Sequence, residues 1–197
     1  MSAKKSDRKS APLCCAAEAG AAASADLARA LRVVPGFPKP GIMFQDITPL
    51  LQDPAAFRAA VERLSAPFAG AQVDLVVAPE ARGFIFGAAV ACRLGAGFIP
   101  ARKPGKLPWK TRTVEYALEY GTDKLCLHED AVGPGARVLL VDDLLATGGT
   151  VAALVKLVGE MGGRVVGCAF LVELDFLKGR AKLAPHEVVS LVHVAAE

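Results

Sequence analysis

Apolar residues recur with different periods along this chain, and each change of period marks an element. Phe57, Val61, Leu64 and Phe68 form one stripe at helical spacing. Asp53-Pro54 just before them is a helix start, with Asp as N-cap and Pro in the first turn. Residues 73–78 read as a buried strand, 83–94 as an apolar helix ended by Gly95-Ala96-Gly97, and 98–101 as a second strand. A short strand is expected over 124–128 and the strongest one over 138–141, where four apolar residues follow one another. Val151, Leu154, Val155 and Val158 fall at i, i+3, i+4 and i+7, which predicts a helix over 151–161, stopped by Gly162-Gly163. Residues 165–172 and 188–194 predict two more strands. Continuous apolar strands separated by helices indicate an α/β domain with a mostly parallel, twisted sheet flanked by helices.

The segments that lack a period matter as much. Residues 1–25 are rich in Ala, Ser and Lys without periodic bulky side chains, so they are expected to form a disordered basic tail ahead of one domain over 26–197. A short helix is expected through Leu27, Ala30, Leu31 and Val34, before Pro35, Pro38 and Pro40 forbid regular structure. That Pro-rich stretch carries the apolar island Ile42-Met43-Phe44. Residues 103–118 are charged and aperiodic, and read as a flexible loop.

Charge and composition then exclude several functions. The net charge is +3, and the first ten residues alone hold four bases and one acid. The rest of the chain is near neutral, which argues against a nucleic-acid binder with a basic face. No run of about eighteen apolar residues is present, so no membrane span is expected. Five cysteines without a C-x-x-C pair point to small buried thiols in a reducing compartment, hence a cytoplasmic protein. A basic, Ala- and Ser-rich start is also the composition of an organellar transit peptide, against which Asp7 and Glu18 count. His128, His186 and His193 show no metal-ligand spacing and read as surface or packing residues.

One string carries chemistry. Val138-Leu139-Leu140-Val141 leads into Asp142-Asp143, then Leu144-Leu145-Ala146-Thr147-Gly148-Gly149-Thr150, then a helix. The carboxyl end of a strand in a parallel sheet is where ligands bind. The amides of Ala146, Thr147, Gly148, Gly149 and Thr150 lie at a helix start and can cradle a phosphate, aided by the helix dipole. Asp142 and Asp143 can accept hydrogen bonds from vicinal hydroxyls, directly or through Mg²⁺. A phosphate beside two carboxylates suggests a sugar phosphate. The pattern is neither a Walker loop nor a dinucleotide fingerprint, because both glycine spacings are absent. Arg82 opens a helix where its fork can reach phosphate oxygens. Arg102, Lys103, Lys106, Lys110 and Arg112 form either a lid over an anion or a solvated charged loop. Phe44 suits either a core position or stacking on a flat ring. Glu115, Glu119 and Glu129 are rival candidates for an acid/base carboxylate.

The 138–150 string resembles the PRPP-binding motif of the type I phosphoribosyltransferases. Further segments narrow the resemblance to the adenine phosphoribosyltransferase family: Phe37-Pro38-Lys39-Pro40-Gly41-Ile42-Met43-Phe44-Gln45-Asp46-Ile47-Thr48-Pro49, Ala81-Arg82-Gly83-Phe84-Ile85-Phe86-Gly87, Arg102-Lys103-Pro104-Gly105-Lys106-Leu107-Pro108, Leu118-Glu119-Tyr120-Gly121, Leu171-Val172-Glu173-Leu174 and Leu177-Lys178-Gly179-Arg180. It covers about residues 27–195. The resemblance implies a type I phosphoribosyltransferase fold with a small N-terminal hood and a flexible lid. It implies transfer of the 5-phosphoribosyl group from PRPP to adenine, giving AMP and diphosphate. Mg²⁺ is implied as cofactor, bound through PRPP near Asp142 and Asp143 with no ligand expected directly from the protein. A homodimer is implied as well. It assigns Glu119 as the acid/base, Arg82, Lys103 and Lys106 to diphosphate, and Met43, Phe44, Gln45 and Leu174 to adenine. The hypoxanthine-guanine relatives carry an Asp base where this chain has Ala146, and Trp109 replaces a frequent Gly. A PRPP-sensing regulator on the same fold is the alternative class, and it would have no need of Glu119.

Overall fold

The computed structural model describes residues 27–117 and 122–195. In chain order its elements are β1 (Arg32–Pro35), β2 (Met43–Asp46), α1 (Thr48–Gln52), α2 (Pro54–Ser65), β3 (Leu75–Pro79), α3 (Gly83–Leu94), β4 (Gly97–Ala101), β5 (Thr111–Ala117), β6 (Thr122–His128), β7 (Arg137–Leu145), α4 (Gly149–Glu160), β8 (Arg164–Leu174) and β9 (Val188–Val194). Short 3₁₀ turns cover Ala66–Phe68, Asp175–Leu177 and Gly179–Leu183.

Five strands form one parallel sheet in the order β4-β3-β7-β8-β9. Because side chains alternate along a strand, each central strand feeds two layers. Val77, Leu140, Cys168 and Phe170 pack toward Val151, Leu154, Leu157 and Val158 of α4. Val76, Leu139, Val141, Ala169 and Leu171 pack toward Ala56, Ala60 and Leu64 of α2 and Phe86 and Val90 of α3. Both faces are covered, which is why these strands read as unbroken apolar runs. Asp53 caps α2 by accepting from the amides of Ala55 and Ala56.

Two sequence expectations fail in instructive ways. The short helix through Val34 is not formed: 27–30 is a turn, and β1 follows. Strand β1 pairs antiparallel with β2, Val34 opposite Phe44, and the Gly36 amide bonds Ile42 O. A hairpin partner outweighs a weak helical stripe that Pro35 cuts off. The aperiodic segment 103–118 also contains a strand, β5, paired along its whole length with β6. Only Val114 and Tyr116 turn inward there. The outer face is all polar, so half the alternation is invisible. The expected tail over 1–25 lies outside the described residues.

The cysteine expectation holds for Cys126 and Cys168, which are buried and free, but Cys92 is exposed. The buried stripe of α3 runs Gly83, Phe86, Gly87, Val90 and Ala91, and Cys92 falls beside it. Burial pushes the Cys168 thiol up to about 12. No helix among the described residues is long and apolar enough to cross a membrane.

Candidate active site

The carboxyl ends of β3, β7 and β8 bring most of the singled-out residues together. Strand β7 runs through Asp142 and Asp143 to Leu145, so the two neighbouring carboxylates point to opposite sides of the strand end. Asp143 is buried, and its Oδ2 receives Arg82 Nε at 2.5 Å. Arg82 is the N-cap of α3 and remains half-exposed. Its guanidinium carbon lies 5.3 Å from the centre of the Phe44 ring, a cation–π contact. Phe44 is half-buried and meets Phe37 edge-on at 5.0 Å. The hood hairpin, the first turn of α3 and the end of β7 therefore form one continuous wall.

Asp142 faces Gly83, where a Cβ would stand 2.8 Å from its Oδ1. The same oxygen accepts the Asp143 amide at 2.8 Å. Burial first, and the adjacent Asp143 charge second, push the Asp142 carboxyl well above the ordinary carboxylate range. A half-buried carboxyl poised in this way accepts or gives up a proton according to what lies against it.

The loop from Ala146 to Gly148 leads into α4, whose N-cap is Gly148 with φ +75°. The first amides of α4 have no partners within the helix. Gly148 is buried, and a Cβ on it would lie 2.5 Å from Gly179 O. The need for glycine there thus comes from chain packing as well as from any ligand. No local pattern signals this contact, because Gly179 opens a 3₁₀ turn 31 positions away.

Arg102 and Glu80 tie the β3–α3 loop to the end of β4. Arg102 Nε donates to Glu80 Oε2 at 2.9 Å and the Lys103 amide to Oε1 at 2.8 Å. Burial raises the Glu80 carboxyl, but these bonds outweigh it and hold it below its usual value. Lys103 Nζ pairs with Asp123 at 3.1 Å, and Lys106 is exposed. Of the three predicted diphosphate residues, only Arg82 sits against the carboxylates. The hydroxyl of Tyr116 lies 3.5 Å from Asp123 and also faces Thr150, which brings the β5–β6 hairpin over the start of α4.

Met43 and Gln45 flank Phe44 on β2, Met43 largely exposed. Leu174 ends β8 and packs toward the α2–α3 layer. Glu119 lies outside the described residues. Its rivals do not: Glu115 pairs with Lys124 at 3.1 Å, and Glu129 lies 3.9 Å from Lys110. His193, read as an ordinary surface or packing residue, lies with Nδ1 2.8 Å from Asp175 Oδ1, the carboxylate accepting. With Glu173 these ligand-type atoms all lie within 4.8 Å. Glu173 is already engaged by Arg180, at 2.5 Å. A cavity of about 880 Å³ opens at the opposite, amino end of the strands, beside Arg137 and Arg164. There Arg137 is taken up by Asp74 and Gln72.

Comparison with known proteins agrees with the fold that carries this site. Residues 48–192 match the family model of the phosphoribosyl transferase domain. The adenine phosphoribosyltransferase of Symbiobacterium thermophilum is 57% identical over 167 residues, 85% of this chain and 98% of the relative. The crystal structure of the adenine phosphoribosyltransferase from Thermoanaerobacter pseudethanolicus superposes with a TM-score of 0.83 at 54% identity, covering 86% of this chain and 98% of that one. The Saccharomyces cerevisiae enzyme, solved with an imino-altritol bisphosphate and adenine, gives 0.80 at 38% identity, covering 84% and 96%.

Proposed function

The chain belongs to the phosphoribosyltransferase family, among its adenine phosphoribosyltransferases, and on that premise we propose how its residues divide the reaction. The enzyme transfers the 5-phosphoribosyl group from PRPP to adenine, giving AMP and diphosphate, a step of purine salvage. The observation that carries the assignment of roles is the meeting of Asp142, Asp143, Arg82 and the 146–150 loop at one strand end.

The amides of Ala146, Thr147, Gly148, Gly149 and Thr150 hold the 5-phosphate, with the Thr147 and Thr150 hydroxyls beside them. Asp142 and Asp143 accept from the ribose hydroxyls, and their charge favours the oxocarbenium-like centre that forms at C1 as diphosphate leaves. Arg82 turns from Asp143 to the diphosphate, joined by Lys103 and Lys106. Phe44 stacks on adenine, Met43 and Gln45 offer main-chain groups, and Leu174 closes the other side. Glu119 exchanges a proton with the purine.

Hard oxygen donors at Asp142 and Asp143, with Arg82 beside them, suit a Mg²⁺ carried in by PRPP. When bound, the ion neutralises charge on the leaving diphosphate. The reading includes a homodimer, so light scattering is expected to give twice 20.5 kDa. It also places the enzyme in the cytoplasm, in keeping with the buried, unbridged thiols of Cys126 and Cys168.

The test of substrate choice is direct. A site that pairs with the adenine amino group leaves a buried group unmatched when an oxygen replaces it, worth a factor of up to about 10⁴. With PRPP and Mg²⁺, adenine is expected to turn over and guanine and hypoxanthine to give only traces. Comparable rates for guanine would overturn the reading.

A further inference from the structure

The phosphate loop does not hold its own shape, and the groups that hold it lie off the ligand. Gly179 is buried against it: a Cβ at 179 would overlap Ala146 O and stand 3.0 Å from the Gly148 amide nitrogen. A Cβ at 148 would in turn press on Gly179 O. Two backbones in such contact share one position.

What fixes Gly179 is the next residue. Arg180 Nε and Nη2 donate to the two oxygens of Glu173 at 3.1 and 2.5 Å. Its Nη1 donates to Val188 O at 2.7 Å, and Nη2 also approaches Ser190 Oγ at 3.4 Å. One guanidinium thus ties the 3₁₀ segment to β8 and β9 together. Glu173 is buried, at 4% exposure, and sits opposite Leu145, the last residue of β7 before the loop. The clamp and the loop leave the sheet side by side.

A buried ion pair is weak evidence for stability, since apolar residues of equal size do as well. Its geometry is another matter. A bidentate fork fixes direction as well as distance, which an ammonium does not. Several amides that share one phosphate must be held to within about 0.5 Å.

We infer that Glu173 and Arg180 are positioning residues for the PRPP phosphate, acting through the Gly179–Gly148 contact. The inference rests on the reading of 146–150 as the 5-phosphate loop. Loosening the clamp lets the loop shift, and the loss falls on PRPP. Adenine is affected less, because the Phe44 wall is built from β2 and α3 and only Leu174, next to Glu173, adjoins the clamp.

Three variants test it: Arg180→Lys, Gly179→Ala and Thr147→Val. PRPP affinity with Mg²⁺ is measured by calorimetry, KM for both substrates by steady-state assay, and the fold by circular dichroism and melting. Arg180→Lys keeps a cation on Glu173 and is expected to fold, with PRPP affinity down about tenfold or more, toward the hundredfold that a 1 Å misplacement costs. Its adenine KM should change less than its PRPP affinity does. A purely structural role would lower the melting temperature and the active fraction while leaving PRPP affinity unchanged. If Thr147→Val weakens PRPP but Arg180→Lys and folded Gly179→Ala bind it normally, the clamp is refuted and the loop stands. If Thr147→Val also binds normally, the loop reading falls and the clamp with it. Should Gly179→Ala not fold, Arg180→Lys decides alone.

Discussion

Arg82 Nε lies 2.5 Å from Asp143 Oδ2 while the same guanidinium covers the face of Phe44. The cation proposed for diphosphate is thus bound to a carboxylate proposed for ribose. On the proposed roles, the ribose hydroxyls replace Arg82 on Asp143, and the diphosphate collects the arginine. In the pairing seen here, Arg82 offsets a buried charge that would otherwise be unpaired.

Arg82→Gln should therefore destabilise the free protein as well as weaken PRPP. Asp143 has a side-chain exposure of 8% and would lose its cation. Arg82 is 44% exposed, so water replaces part of the loss, and about 1–3 kcal/mol is expected. Asp143→Asn on the Arg82→Gln background should cost less than on the wild type. Urea unfolding of the four proteins gives the coupling. Strict additivity would show that the pair contributes nothing.

Asp142 makes the free site unfavourable at neutral pH. Its folded pKa is raised above the ordinary value of 3.8, by burial and by Asp143. The folded state thus keeps a proton that the unfolded chain releases, and stability falls as pH climbs from about 4 through the folded pKa. Asp142→Asn should remove that decline and raise the melting temperature at pH 7 while weakening PRPP. The check is melting from pH 4 to 8 in both proteins. A decline of equal slope in the variant would place its source elsewhere.

Gly148 separates packing from recognition. With φ +75° and Gly179 O in the path of a Cβ, Gly148→Ala should cost roughly 1–2 kcal/mol from the left-handed backbone alone. For a chain of this size that is a melting temperature lower by about 2–8 °C. Thr147→Val removes one hydroxyl, and PRPP affinity should fall about 10–100-fold with melting nearly unchanged. Differential scanning calorimetry with and without PRPP distinguishes the two effects.

The central layers were legible because a sheet covered on both faces imposes unbroken apolar runs. The bounds of α3 and β9 and the capped start of α2 follow from local pattern alone. Likewise, the loop after Asp142-Asp143 is a local signal, a strand end followed by small residues and a helix. What stayed hidden was whatever depends on a partner distant in sequence. Strand β5 turns only Val114 and Tyr116 inward, too few apolar residues to show a period, and it forms against β6, which the local pattern predicts. Glu173–Arg180 and Gly148–Gly179 arise where irregular chain folds back on a strand end. His193 reaches Asp175 only because β9 lies beside β8. Charged residues in a loop can be counted from sequence, but which of them are already paired, as Lys103 is with Asp123, cannot.

The last prediction concerns the proton. Three glutamates compete for the acid/base role, and the structure narrows the choice by what the rivals are doing. Hydrogen bonds from Lys124 and then Thr122 hold the Glu115 carboxyl below its usual value, so it stays ionised and is a poor proton donor. Glu129 lies at the far end of β6, past His128 and near Lys110. Tyr116, three positions before Glu119, has its hydroxyl near Thr150 at the start of the phosphate loop's helix. That contact brings the chain leading to Glu119 to the proposed site. Glu119→Gln keeps the shape and removes the titrating group. It should lower kcat by about 10²–10⁴, the usual span for acid/base catalysis, with PRPP affinity by calorimetry unchanged. Glu115→Gln should lose only its surface ion pair with Lys124, which contributes at most about 1 kcal/mol, and turn over like the wild type. The reverse result, with Glu115→Gln inactive and Glu119→Gln normal, would assign the proton transfer to Glu115 on β5 instead.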